Sequence, residues 1–329
     1  MSNVLVTGGA GFVGYHFSKK ILDNNFSTII IDNLDDYYDI ELKLKRLSLL
    51  GIDTSEIKYG KEQKSKMYHN LGFVRGDICD KELVENLFSK NNLDYVVHMA
   101  ARSGARNSFS NPLEYIKNNV EGSTNMLEIA NRYNVKHFLF TSSSSVYGNM
   151  EENNDISELK PISLYGATKL SAEIIAETYA KSKKLPITIA RLFSVYGPLG
   201  RPDGFIYKCI ESIKNEISIE LFNNGEMWRD FIYVKDVSEI LFRILLTIPE
   251  SGFKVYDVGS GKATKITEVL QILEEILGKK SIVKNISGSK NESIITKAHN
   301  ELIYQDVNLE KVSDLKANLK DFLQTKKVY

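Results

Sequence analysis

Short unbroken apolar runs alternate with helix-length segments along the first two-thirds of the chain. VLVTGG (4–9), TIIID (28–32), GFVRGD (72–77), YVVHMA (95–100), HFLFTSS (137–143) and ITIARLF (187–193) have strand length and predict buried strands. Their near-continuous hydrophobicity fits a parallel sheet covered on both faces. Helices are expected between them, notably over 112–133 and 164–183. Alternating strand and helix imply right-handed crossovers, hence an α/β fold of Rossmann type with a doubly wound parallel sheet. After about residue 193 the rhythm changes. The Gly/Pro stretch 196–204 reads as a loop, followed by a helix over 205–214, an apolar segment 217–222, a helix over 234–247 and a strand 253–259 that returns to the sheet. From 264 the chain is helical and then irregular. The expected division is a dinucleotide-binding part of 1–191 plus 230–262, and a smaller C-terminal substrate-binding part of 192–229 plus 263–329. The Lys-rich stretch 58–66 reads as a solvated loop.

The first strand runs straight into GGAGFVG. Gly8, Gly11 and Gly14, with Phe12 and Val13 between the last two, stand at a strand-to-helix turn. Glycine there lets backbone N–H groups and the positive helix end approach a pyrophosphate. A glycine triplet alone is weak evidence, but here a strand precedes it, a helix follows it and an acid closes the next strand. That acid is Asp32, 18 positions after Gly14. Its carboxylate can accept from ribose hydroxyls and would repel a 2′-phosphate. Asn33 and Leu34 follow, with no arginine to hold that phosphate, so NAD is the expected cofactor. Asp77 and Ile78, ending the third strand, could flank the adenine, although Asp77 reads nearly as well as an ordinary strand-end aspartate.

Tyr165 and Lys169 stand four apart on the 164–183 helix and so share a face. An ammonium beside a phenol favours the phenolate, a general base. The hydroxyl cluster TSSSSVYG (141–148) ends a strand where open α/β sheets bind ligands, although serine is also a turn residue.

Composition narrows the class of partner. Among 329 residues, 42 Lys+Arg balance 42 Asp+Glu, which argues against nucleic acid or a membrane surface as the partner. The two cysteines, Cys79 and Cys209, form no disulfide or metal pattern, and no metal site is expected. The N-terminal residues lack the pattern of a signal peptide and no apolar stretch is long enough to span a membrane, so a cytoplasmic protein is expected.

TGGAGFVG, IDN, GDI, HMAA, SSSSVYG, YGATK, VYGP and RDFIYVKDV occur in the order found in the extended short-chain dehydrogenase/reductase family of nucleotide-sugar enzymes, which the chain resembles over nearly its whole length. Within it, IDNLDDYYDIELKLKRL (31–47), AARSGARNSFSNPLEYIKNN (100–119), SLYGATK (163–169) and RLFSVYGPLGRPD (191–203) are most similar to the UDP-glucuronate 4-epimerase branch. The resemblance implies that Tyr165 takes the proton of the sugar 4-hydroxyl. Lys169 would hold the nicotinamide ribose and depress the Tyr165 pKa, Ser143 would bond the reacting hydroxyl, and Ala100 and Ala101 would line the cofactor. Arg229 matches the diphosphate-binding arginine. Ser144 and Ser145 replace the acids with which related dehydratases move protons at C5 and C6, so the reaction should stop at C4. Arg106 and Ser194 match substrate-side positions, and an arginine can grip a C6 carboxylate. The helices 112–133 and 164–183 would pair with their copies in a homodimer, using Leu113, Ile116, Val120, Leu127 and Ile174. Arg102 and Asn107 stand where the branch has Gln and Tyr, and the usual C-terminal substrate segment is absent from 295–314. These departures keep open a C4 dehydrogenase that releases a 4-keto nucleotide sugar, a GDP-linked one among the candidates. A non-catalytic NAD-binding scaffold is the rival of another class, opposed by intact Ser143, Tyr165 and Lys169.

Overall fold

The computed structural model describes residues 2–150, 159–287, 293–309 and 312–325. The strands are β1 (Asn3–Thr7), β2 (Ser27–Asp32), β3 (Glu62–Lys64), β4 (Leu71–Arg75), β5 (Tyr95–His98), β6 (His137–Ser143), β7 (Ile187–Leu192), β8 (Ser194–Tyr196), β9 (Ser218–Phe222), β10 (Trp228–Tyr233), β11 (Phe253–Val258), β12 (Ala263–Lys265) and β13 (Ile282–Ile286). The main sheet has the order β11-β7-β6-β5-β1-β2-β4-β3 and is parallel except for the β3 edge. The chain order reverses at β1, flanked by β2 and β5, and a ligand crevice forms beyond the carboxyl ends of the strands at such a point.

The unbroken apolar runs have a direct cause. Val4, Val6 and Ile30 face one layer, where Phe17 and Ile21 of helix Phe12–Asp23 meet Leu241 and Ile244 of helix Val234–Leu246. Leu5, Ile29 and Ile31 face the other, against Phe88, Met126, Ala172 and Ala176. A second core, with Ile206, Ile210, Leu270, Leu273 and Phe322, sits under the small sheet β12-β10-β8.

Helix Leu164–Lys183 has the expected bounds, and its start is fixed by Ser163, whose Oγ accepts from Gly166 N at 3.1 Å. Two expectations need correction. The 58–66 stretch contains the edge strand β3, because its backbone pairs with β4 while its charged side chains face outward. The 112–133 helix is interrupted by a π-helical turn, Lys117–Glu121. That turn carries the buried side chain of Asn119, which accepts from Arg102 N at 2.7 Å and donates to Thr168 at 3.0 Å. Among the described residues, no helix is long and apolar enough to cross a membrane.

Candidate active site

One cavity of about 1300 Å³ opens over the carboxyl ends of the strands and brings together residues far apart in sequence. Gly8, Gly11, Phe12, Val13, Gly14, Asp32, Asn33, Ile78, Ala100 and Ala101 line it at one end. Ser143, Ser144, Ser145, Tyr165, Lys169, Ser194, Arg106 and Arg229 line the rest. Asp77 is absent from this lining. Its carboxylate instead accepts from Cys79 N at 2.8 Å, the role of an ordinary turn-capping aspartate at the end of a strand.

The glycines are dictated by close approach. Gly8 has φ +72°, and a Cβ there would stand 2.8 Å from the Ala100 backbone. A Cβ on Gly14 would stand 2.2 Å from Gly8 O. The turn is therefore walled by backbone, and the helix N-terminus at Phe12 opens toward the cavity, which fits a dinucleotide diphosphate. Asp32 is buried and accepts from Ala10 N (3.1 Å) and Leu34 N (2.9 Å). An ionised carboxylate has further lone pairs for ribose hydroxyls. Its place at the end of β2 fits NAD.

At the other end, Ser143 leaves β6 in extended conformation, and its Oγ donates to Ser145 Oγ at 3.1 Å. The Tyr165 helix can abut this turn because residue 166 is glycine, where a Cβ would meet Ser145 O at 2.4 Å. Ser143 and Tyr165 line the same part of the cavity, and Ser143 acts on the Tyr165 phenol. Burial pushes the Tyr165 pKa up, while Ser143 and the Arg201 guanidinium pull it down and Tyr37 adds to the rise. Lys169 Nζ turns to Thr141 O (2.6 Å) and lies 4.4 Å over the Phe140 ring. Burial lowers its own pKa to about 8, against a smaller upward pull from Glu173.

Arg229, on β10, lines the cavity half-buried and donates to Trp228 O and Ile294 O. Arg106 is exposed and stacks 4.1 Å over Phe222, a wetter setting than a carboxylate clamp would have. Arg102 is held by Asp35 at 2.7 Å and Asn107 by the Tyr37 hydroxyl at 3.1 Å, so both departures from the branch pattern are tied into one wall. Sequence reasoning missed Tyr37, Lys43 and Arg201, which also line the cavity. Arg201 bonds Ser103 and Asp203 and lies 5.2 Å over the Tyr37 ring. It stands inside the RLFSVYGPLGRPD segment (191–203), which carries the available signal.

The chain has counterparts of the same architecture. It is 34% identical to a UDP-glucuronate 4-epimerase of Thermodesulfobacterium geofontis, over 85% of this chain and 82% of that protein. It is 34% identical to UDP-glucuronate 4-epimerase 6 of Arabidopsis thaliana, over 98% of this chain and 71% of that one. The crystal structure of a UDP-glucuronic acid 4-epimerase from Bacillus cereus, in complex with UDP-glucuronic acid and NAD, aligns with a TM-score of 0.89 at 27% identity, covering 99% of this chain and 100% of that one. Residues 4–259 match the NAD dependent epimerase/dehydratase family, and the chain belongs to it.

Proposed function

We propose that this protein is a UDP-glucuronate 4-epimerase, which passes the sugar through a transient 4-ketone. The observation that carries the reading is the grouping of Ser143, Tyr165 and Lys169 around a turn whose next two residues, Ser144 and Ser145, are not acids. Relatives along most of the chain bear that name.

NAD, when bound, supplies the hydride acceptor and donor and a positive ring charge that favours phenolate. Tyr165 takes the proton of the 4-hydroxyl, which Ser143 holds in line, and later returns it. Lys169, anchored on Thr141 O, holds the cofactor ribose. Neither Ser144 nor Ser145 can move a proton at C5 or C6 at neutral pH, so the ketone survives until it is reduced. Reduction on the opposite face requires the sugar to turn about its diphosphate link, which assigns the fixed anchor to Arg229. Ser144, Ser145 and Ser194 then offer hydroxyls to the sugar, with Arg106 as the charged partner of C6 at the wet rim.

The same reading includes the division into a cofactor part (1–191, 230–262) and a substrate part (192–229, 263–329), a cytoplasmic location and a role in making polysaccharide precursors. It also includes a homodimer through the helices at 112–133 and 164–183, where Leu113 is 76% and Ile174 57% exposed. Leu127 drops out of that surface, since it is 1% exposed within the intramolecular core. Native mass spectrometry of purified protein should find one NAD, and a UDP-sugar where one is retained, per chain. NADP or a GDP-sugar in their place would sink the assignment.

A further inference from the structure

Arg46 lies on helix Ile40–Leu49, outside the cavity, and is completely buried. A buried guanidinium normally has a carboxylate partner. Among the described residues none is paired with Arg46. Its donors go instead to Leu199 O (3.0 Å from Nε, 2.6 Å from Nη2), to Ala10 O (3.0 Å) and to the Tyr38 hydroxyl (2.6 Å).

Those acceptors belong to two different half-sites. Ala10 is in the glycine turn, and its own N–H is bonded by Asp32. Leu199 is in the loop between β8 and helix Phe205–Asn215. It holds φ +57°, which costs a non-glycine residue about 1–2 kcal/mol and persists only where its surroundings enforce it. The forked contact of Arg46 on its carbonyl is such an enforcement. A second tie lies next door, where His16 Nε2 of helix Phe12–Asp23 donates to Pro198 O at 2.8 Å. Two residues beyond Leu199, the loop presents Arg201 to the cavity, beside Ser103 and Tyr37.

We infer that Arg46 is a positioning residue that moors the Arg201 loop to the cofactor turn, with His16 as its auxiliary, so that the substrate-side cation is held in register with the cofactor. This rests on the proposed function only in taking the cavity that Arg201 lines as the substrate pocket. A planar fork spanning three acceptors cannot be replaced by the single ammonium of lysine, although charge is kept.

The test uses the NAD-loaded protein and Arg46→Lys. Without substrate, hydrogen exchange at the amides of Leu199, Gly200 and Arg201 should quicken by at least about tenfold, with NAD content per chain unchanged. With UDP-glucuronate, KM should rise about tenfold and kcat should change little, the size expected for loss of charge-assisted hydrogen bonds. In an Arg201→Met background the same change should add less than about twofold, because the residue through which Arg46 acts is already gone. His16→Leu should show a smaller version of both effects and His16→Gln should restore them, which keeps the inference testable if Arg46→Lys folds poorly. Unchanged loop exchange, loss of NAD, or a full tenfold effect in the Arg201→Met background would each overturn it. Exchange is read without substrate, so failure of wild-type protein to turn over UDP-glucuronate would strike the proposed function and leave this result standing.

Discussion

Lys169→Met removes a charge that the fold buries at a cost, and that cost can be measured. The side chain is 2% exposed. Its ammonium has one hydrogen bond, to Thr141 O, and the Phe140 ring beneath it. The nearest acid, Glu173, is already taken by Arg191 through contacts of 2.7–3.2 Å. Burial therefore lowers the Lys169 pKa to about 8. The unfolded chain keeps a lysine near 10.4, so between pH 8 and 10 it binds more protons than the folded protein, and stability rises with pH through that window. The gap corresponds to roughly 3 kcal/mol, fully present as a penalty at pH 7 and mostly relieved by pH 10. Methionine fills a similar volume and does not titrate. Urea unfolding of cofactor-free wild-type and Lys169→Met protein should then show the stability difference, wild type minus variant, moving in favour of wild type by about 2–3 kcal/mol from pH 7 to pH 10. Subtraction removes every other titrating group and the pH-independent loss of the Thr141 contact. Parallel curves for the two proteins would refute the buried, uncompensated ammonium.

Further outcomes follow from the same geometry. Gly14→Ala places a methyl 2.2 Å from Gly8 O, where only backbone could yield. It should abolish NAD co-purification even though alanine improves the helix by about 1 kcal/mol, and an intact NAD content would contradict the close-packed turn. Tyr165→Phe should lose at least about 10²-fold in turnover while retaining NAD, and near-full activity would make Tyr165 a plain helix residue. Leu113→Asp with Ile174→Asp should yield monomers by light scattering, whereas a wild-type protein already monomeric at micromolar concentration would remove the dimer.

The parts of the fold legible in sequence were those fixed locally or buried on both faces. The strands of the main sheet announced themselves because Val4, Leu5 and Val6 alternate between two apolar layers, and helix Leu164–Lys183 was bounded by its serine cap. Strands β8 and β10 did not, since β8 is only three residues long and β10 sets Arg229 and Asp230 among its apolar residues. The glycine turn, the Tyr165–Lys169 pair and the serine turn could be read as chemistry because spacing alone places them. The direction of an ammonium could not, and Lys169 turned to a carbonyl and a ring. Leu127 shows a similar gap, since helical spacing identifies an apolar face without saying whether the same chain covers it. Arg46 had a faint signal. It lies four positions after Leu42 and four before Leu50, on the inward ridge of its helix.

The most direct test of the central claim is to incubate the purified protein with UDP-glucuronate and follow the product by NMR. The account predicts UDP-galacturonate, approached to the same equilibrium from either sugar, with no free 4-ketone and no loss of the C6 carboxylate. No conversion by protein that carries NAD and an intact Tyr165, or accumulation of a 4-keto sugar, would contradict it.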